Sequence, residues 1–275
     1  MKYILDHDYH IHSMISQCSS DPEQSTENIL KAAKARGLKQ IVLTDHFWDE
    51  NVPGASNWYE TYHKFSDIKK ALPLPKCEGV EFLFGCETDM DKNGVIGISK
   101  ERLADFDFII VPTTHMHMKG FTVEEDDYCN PERLSKLWVE RFDALLNADL
   151  PFYKVGIAHL TTVCIAVNDR LHVKVIEMIP DEEMYRLFKK AAKLGLGIEI
   201  NGSDFNCTDE ELKILLHPYK IAKECGCKFY YGSDAHKPRE FVADKNFDKV
   251  REHLGLTEDD KFVIAPLSPA KQLNC

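Results

Sequence analysis

The stretch MKYILDHDYHIH, residues 1–12, decides how this chain is read. A short apolar run, Tyr3-Ile4-Leu5, leads into Asp8, His10 and His12, three polar side chains spaced by two. In a strand, positions i, i+2 and i+4 share one face. A carboxylate and two imidazoles would therefore converge at the strand's end, and that donor mixture suits a borderline divalent metal. One His-x-His alone fits a solvated strand end equally well.

Similar ends recur along the chain. Six further apolar, β-rich runs each finish in a polar or metal-capable residue. QIVLT (40–44) ends at Asp45-His46, VEFLFG (80–85) at Cys86-Glu87, and FDFIIVPTT (106–114) at His115-Met116-His117. KVGIA (154–158) ends at His159, GIEI (197–200) at Asn201, and KFYYG (228–232) at Ser233-Asp234-Ala235-His236.

Helix signals alternate with these runs. Ser25-Thr26-Glu27-Asn28 offers a capped start to a helix that closes near Arg36-Gly37, where glycine takes a left-handed cap. Residues 131–150 form the clearest amphipathic helix, with Leu134, Leu137, Trp138, Phe142, Leu145 and Leu146 recurring at three and four. Residues 182–194 and 210–224 behave likewise, and 239–254 supply a last helix. Between 51 and 76, Pro53, Gly54, Pro73 and Pro75 surround Trp58, Tyr59, Tyr62 and Phe65, which reads as loop plus short helix. Just past a strand end, such a connection is either a substrate lid or a packed insertion.

Alternating strands and helices imply a parallel sheet with right-handed crossovers. In an open sheet the polar ends would be spread along one edge. They meet at one centre only if the sheet closes, so the expectation is an α/β barrel of about seven strands, one domain over 1–275, with its site at the C-terminal ends of the strands.

Composition agrees. The length of 275 residues suits one closed barrel, and a net charge of −11 argues against a nucleic-acid backbone as partner. Nine cysteines without a Cys-x-x-Cys pair suit reduced thiols, and Cys225-Gly226-Cys227 reads as a helix end before a strand. Asp6 and Asp8 interrupt the place where a signal peptide needs apolar residues, and no run approaches membrane-spanning length. A cytoplasmic protein without a membrane partner is expected.

Taken together, Asp8-x-His10-x-His12, Thr44-Asp45-His46, Gly85-Cys86-Glu87, His115, Val155-Gly156-Ile157-Ala158-His159 and Gly232-Ser233-Asp234-Ala235-His236 resemble the successive motifs of the PHP (polymerase and histidinol phosphatase) family. The stand-alone length is similar to that of its histidinol-phosphatase-like branch. The resemblance implies a distorted (βα)7 TIM-like barrel, two to three divalent metal ions (Zn, Mn or Fe) and hydrolysis of phosphoric esters. Carried over by position, it implies that His10, His12, Glu87 and Asp234 surround one metal. Glu87 would bridge to a second, held also by His115 and His159, while His46 and His236 would hold a third. Thr113-Thr114-His115 fits the family's Ser-x-His pattern better than His117 does. The family often adds a ligand from the loop after the first strand. Here that loop reads Ser16-Gln17-Cys18-Ser19-Ser20-Asp21, with Asp21 and Cys18 both open candidates.

The implied reaction is hydrolysis of a small-molecule phosphomonoester by a metal-bridging hydroxide, with Glu87, Asp234 and His236 as catalytic side chains. Asp8 and Asp45 read as acceptors that fix histidine tautomers. Histidinol phosphate, and with it histidine biosynthesis, follows from the branch. That branch's Asn-Thr-Ser-Gly-Leu-Arg turn is here Asn201-Gly202-Ser203-Asp204-Phe205, without arginine. Asn201 and Arg239 are candidate substrate contacts, with Lys119 and Arg170 as further cations near motifs. The competing readings are an exonuclease-like phosphodiesterase acting on nucleotides, which the acidic chain disfavours, and a non-catalytic metal-binding module, which missing ligands would signal. Amide hydrolysis, known in related barrels, is more remote.

Overall fold

A computed structural model describes residues 1–19, 21–166, 170–240 and 245–264. Its parallel strands are β1 (His7–Ile11), β2 (Gln40–Leu43), β3 (His46–Phe47), β4 (Glu81–Thr88), β5 (Phe108–Val111), β6 (Val155–Ile157), β7 (Gly197–Asn201) and β8 (Lys228–Gly232). They run in the order β1-β2-β4-β5-β6-β7-β8. β3 continues β2 beyond Thr44-Asp45 and pairs with β4 through His46 and Glu87, so eight strands make seven staves. The expected seven-stranded TIM-like barrel is what the chain forms.

The seam between β1 and β8 explains the distortion. At the top it closes by backbone pairing, with Asp234 N donating to His10 O at 2.8 Å and His12 N to Ala235 O at 3.1 Å. Lower down, side chains take over. His7 Nε2 accepts from Tyr231 N at 3.1 Å, and Asp8 Oδ1 accepts from Ser233 N at 3.0 Å. Burial holds the His7 pKa below its ordinary value, and the neutral ring is what an acceptor nitrogen requires.

Alternation sorts the strand residues into two cores. Tyr9, Val42, Leu83, Phe108, Ile110, Ala158 and Tyr230 fill the lumen together with Phe262 and Ile264 from the chain beyond the last helix. Larger packing joins the outer strand faces to the helices. Lumen-facing glycines keep room for the large groups: a Cβ at Gly156 would lie 2.5 Å from Tyr230 Oη and 2.7 Å from Phe108 Cζ. One step further up the same strand faces stand Glu87, Glu199 and Asp234. The layering places apolar rings below and ionisable groups at the mouth.

Nine helices among the described residues cover the barrel: α1 (Thr26–Ala35), α2 (Asn57–Tyr62), α3 (Phe65–Ile68), α4 (Pro131–Asn147), α5 (Leu171–Glu177), α6 (Asp181–Leu194), α7 (Asp209–Leu215), α8 (His217–Glu224) and α9 (Lys245–Leu254). The Ser25 hydroxyl caps α1, and Gly37 takes φ +75° just past it. Gly226 follows the end of α8 at φ +85°, just before β8, as read from the sequence. Three helical expectations change. Residues 210–224 divide into α7 and α8, because Pro218 has no N–H to carry one ladder onward. Helix α5, too short to show a clear period, was not anticipated. Arg239 lies in a turn rather than in the last helix, and residues 241–244 fall outside the described set.

Helix α4 buries the apolar stripe read from its sequence and one charge with it. Arg141 is 4% exposed and donates to four carbonyls: Thr113 O at 2.7 Å, Met90 O at 2.8 Å, and Asp91 O and Thr122 O at 3.0 Å. It ties the segments after β4 and β5, which wall the barrel mouth, to one helix. Arg141→Leu leaves those buried carbonyls without a partner and should lower unfolding free energy by on the order of 3 kcal/mol in denaturant titration. A loss below about 1 kcal/mol would mean that water replaces the guanidinium.

Candidate metal centre and active site

Eight side chains selected from the sequence, His10, His12, His46, Glu87, His115, His159, Asp234 and His236, meet at the barrel mouth. Their donor atoms form three groups, each within 4.8 Å, two of which share His12: His10–His12–Asp234, His12–His46–His236 and Glu87–His115–His159. Glu87 sits between them. Its Oε1 lies 3.5 Å from His10 Nε2, 3.4 Å from His159 Nε2 and 4.0 Å from His115 Nε2. Its Oε2 lies 3.4 Å from His12 Nε2 and 2.9 Å from His46 Nδ1. One carboxylate thus divides its oxygens between two sets of imidazoles.

Four of the six rings are aimed by a partner behind them, and the partner fixes the tautomer. Glu199 Oε1 takes His10 Nδ1–H at 2.7 Å, and Asp89 Oδ1 takes His115 Nδ1–H at 2.9 Å. Thr114 Oγ1 gives its hydrogen to His159 O at 3.1 Å, so it accepts from His159 Nδ1 at 3.0 Å. Ser16 Oγ donates to Asp45 at 2.7 Å and so accepts from His12 Nδ1 at 3.2 Å. In all four rings Nε2 is left toward the cluster.

The aiming residues differ from those expected. Asp45 acts on His12 through Ser16, not directly. Asp8 accepts backbone N–H groups of Ser233 and His10, and its service is to the seam. Sequence reading missed Glu199 and Asp89. Glu199 had a visible signal, a lone carboxylate inside the apolar run GIEI, and it is fully buried. Asp89 stands two residues after Glu87, hence on the same strand face.

Two of the converging residues hold unusual backbone. His159 has φ +28° and Asp234 φ +54°, conformations that L residues rarely adopt. Such strain persists only where surroundings impose it, here through His159 N donating to Glu199 Oε2 at 2.6 Å and Asp234 N to His10 O.

The charges are mutually dependent. Burial opposes charge on His46 and His159, yet Glu87 and its neighbours outweigh it and push both to about 9. His10 is likewise raised above the ordinary imidazole value, against its burial, by Asp234, Glu199 and Glu87. Burial would raise Glu87 and Asp234, but the surrounding imidazoles hold both well below the carboxylate range. The cluster gathers anions that demand compensating positive charge, and its imidazole–carboxylate donor set fits divalent ions such as zinc, manganese or iron.

The groups border a cavity of about 570 Å³. Ser56, Trp58 and Tyr59 wall it, with the Tyr59 hydroxyl bound to Asp89, so the 51–76 connection packs as part of the site. His117 also lines the cavity, its ring 5.2 Å from His115, but it belongs to none of the donor groups. Cys18 borders this cavity, whereas Asp21 and Arg239 line a separate surface cleft. Asn201 is buried and occupied: its Oδ1 accepts from Ser203 N and Oγ, and its Nδ2 donates to Glu199. Neither candidate substrate contact lines the cavity. Lys119 does, whereas Arg170 pairs with Glu211.

A parallel barrel with imidazoles and carboxylates gathered at its mouth has the form of a metal-dependent hydrolase, and the family and relatives it matches make it a phosphoric ester hydrolase. The chain belongs to the PHP domain family, whose model matches residues 8–258. It is 31% identical over 264 residues to a probable phosphatase of Thermoanaerobacter sp. (strain X514), covering 94% of this chain and 89% of the relative. A probable phosphatase of Caldicellulosiruptor bescii is 25% identical over 239 residues, covering 84% and 80%. Among solved structures, the histidinol phosphate phosphatase of Lactococcus lactis, complexed with zinc, L-histidinol and phosphate, superimposes with a TM-score of 0.59 at 18% identity, covering 92% of this chain and 94% of that one. That likeness concerns the fold. Among the described residues no helix is long and apolar enough to cross a membrane.

Glu199→Gln offers one acceptor where His10 Nδ1–H and His159 N–H need two. Metal affinity should fall about 10–100-fold in chelator-competition titrations, with circular dichroism unchanged; unaltered affinity would remove Glu199 from the design. The raised histidines also predict a pH effect on chelator-treated protein. Their stabilising contribution is complete below the ordinary value of 6.5 and is lost as pH rises through about 9. The thermal midpoint of that metal-free form should therefore decline across this window, and a flat profile would contradict the charge pairing.

Proposed function

We propose that this chain hydrolyses a small-molecule phosphomonoester, with histidinol phosphate as the first substrate to try. The observation that carries the reading is Glu87, a buried carboxylate whose oxygens are divided between two sets of imidazoles at the floor of a cavity. His10, His12, Glu87 and Asp234 would hold one ion, Glu87, His115 and His159 a second, and His46 with His236 a third. When bound, zinc, manganese or iron in these positions supplies Lewis acidity and acidifies a coordinated water.

The chain's own residues do the remainder. Glu87, Asp89 and Asp234 face the cavity, and Lys119 is the one lysine or arginine among the described residues lining it. Such a wall repels a phosphate dianion until cations are in place, which couples substrate binding to metal loading. Trp58, Tyr59, Met118 and Phe121 form an apolar side for the organic part of the ester and keep water from it. Asp234 and His236 stand nearest solvent, with side chains 24% and 23% exposed. His236 Nδ1 donates to the Asp234 carbonyl at 2.8 Å, which leaves Nε2 as the nitrogen that would hold the ion nearest the departing alkoxide.

Phosphate release should be measured from histidinol phosphate, an aryl phosphate and a phosphodiester after loading with manganese or zinc. Turnover of monoesters over the diester is the expected result; preference for histidinol phosphate would fix the substrate, and preference for the diester would favour the exonuclease-like reading instead. Glu87→Gln should lower turnover by about 100-fold or more along with bound metal. His117→Ala should be milder than His115→Ala, because His117 lies outside the donor groups. The reverse order would exchange their roles.

A further inference from the structure

Helix α2 supplies part of the cavity wall, yet only one of its side chains, Tyr59, is buried. That ring packs against Trp48 and Phe121, with centroids 5.7 and 5.8 Å away, and its hydroxyl donates to Asp89 Oδ2. The end of the helix hangs on the same residue. His63 N donates to Tyr59 O at 3.0 Å, and His63 O accepts from Trp48 N at 3.0 Å. Trp58, the neighbour of Tyr59, sets its ring edge-on to His46 at 5.2 Å. The wall is thus anchored to the barrel through residues that touch the metal centre.

Both oxygens of Asp89 are committed. Oδ1 accepts from His115 Nδ1–H at 2.9 Å, which leaves His115 Nε2 toward the cluster, and Oδ2 accepts from Tyr59. The carboxylate is 1% exposed, so solvent replaces neither donor. Without the Tyr59 hydroxyl, Oδ2 becomes a buried acceptor that lacks a partner. Where no ion holds His115, the Asp89 side chain escapes that cost by rotating, and the imidazole moves with it. Once an ion pins His115 Nε2, the same rotation would strand Nδ1–H, so the cost stays. Loss of the hydroxyl therefore weakens the loaded state more than the empty one, and metal affinity falls.

We infer that Tyr59 is a positioning residue for the metal position held by Glu87, His115 and His159, acting through Asp89, and that it ties the packing of α2 to occupancy of that position. This rests on the metal-centre reading above but not on any particular substrate. The coupling is reciprocal: whatever factor the docked helix adds to metal affinity, the ion adds to docking of the helix. The apolar side of the cavity, which Trp58 and Tyr59 help to form, is then complete only when the ion beneath it is bound.

Two measurements test this without turnover. In chelator-competition titrations with zinc, Tyr59→Phe, which keeps the ring, should bind one ion per chain about 10-fold more weakly than wild type. In an Asp89→Asn background the same substitution should have little further effect, because the two residues act in series. Tyr62→Phe, on the exposed side of the same helix, should match wild type. A purely structural Tyr59 would lower the thermal midpoint of metal-free protein and leave the affinity alone, and that result overturns the inference. Hydrogen exchange on wild-type protein needs no variant. The His63 amide, bonded to Tyr59 O, should be protected about 10-fold more strongly with zinc than without it. Equal protection in the two states also overturns the inference. Failure to hydrolyse any phosphate ester would instead count against the proposed function, since neither measurement depends on turnover.

Discussion

A single buried carboxylate sets the geometry of the barrel mouth. Glu199 joins three staves: its own β7, β1 through His10, and the end of β6 through the His159 amide. Being acceptor-only, it dictates which nitrogen of His10 carries the proton. The space it occupies exists because Gly232, opposite on β8, has no side chain; a Cβ there would collide with Glu199 Oε1 and with His10. A glycine and a glutamate on neighbouring strands thus act as one device. The positive φ of His159 is sustained by the same bond.

Above this foundation, the site collects charges that no isolated element would tolerate. Imidazoles driven toward protonation and carboxylates driven toward ionisation lie within a few ångströms of one another, shielded from water. Each is stabilised only by the others, so the pKa values belong to the cluster rather than to its members. The contrast lies in His117 and His63. Burial, with the nearby histidines, takes His117 down to about 4 and His63 to about 3, so these rings stay neutral beside a cluster that does not. Position relative to Glu87, more than burial, separates the two kinds of histidine.

Much of this was legible in the sequence because ligand and strand share one periodicity. Seven apolar runs with polar ends announced both the staves and the converging residues, and convergence itself demanded closure. What stayed hidden was whatever depends on contacts between distant segments. Asp8 looks like a partner for its neighbouring histidines, yet its carboxylate accepts from Ser233 N across the seam. Asn201 stands at a strand end like the ligands, but its amide is consumed by its own turn. Cys18 and Asp21 are three positions apart in one loop and open onto different clefts, a difference that no local pattern records.

The seam makes completion of the fold a late event. Asp8 and Ser233 are 225 positions apart, and Tyr3 N reaches Leu256 O to brace the same joint from below. Contacts of such separation cannot form until most of the chain is available, and they close large loops at a cost in entropy. The first motif of the site lies on one edge of that joint and the last on the other. An intermediate with six ordered staves would hold Glu87, His115 and His159 in place and still lack a centre. Chemistry at the mouth is therefore an indicator that the polypeptide has finished folding, and a partly folded chain is silent before it is misdirected.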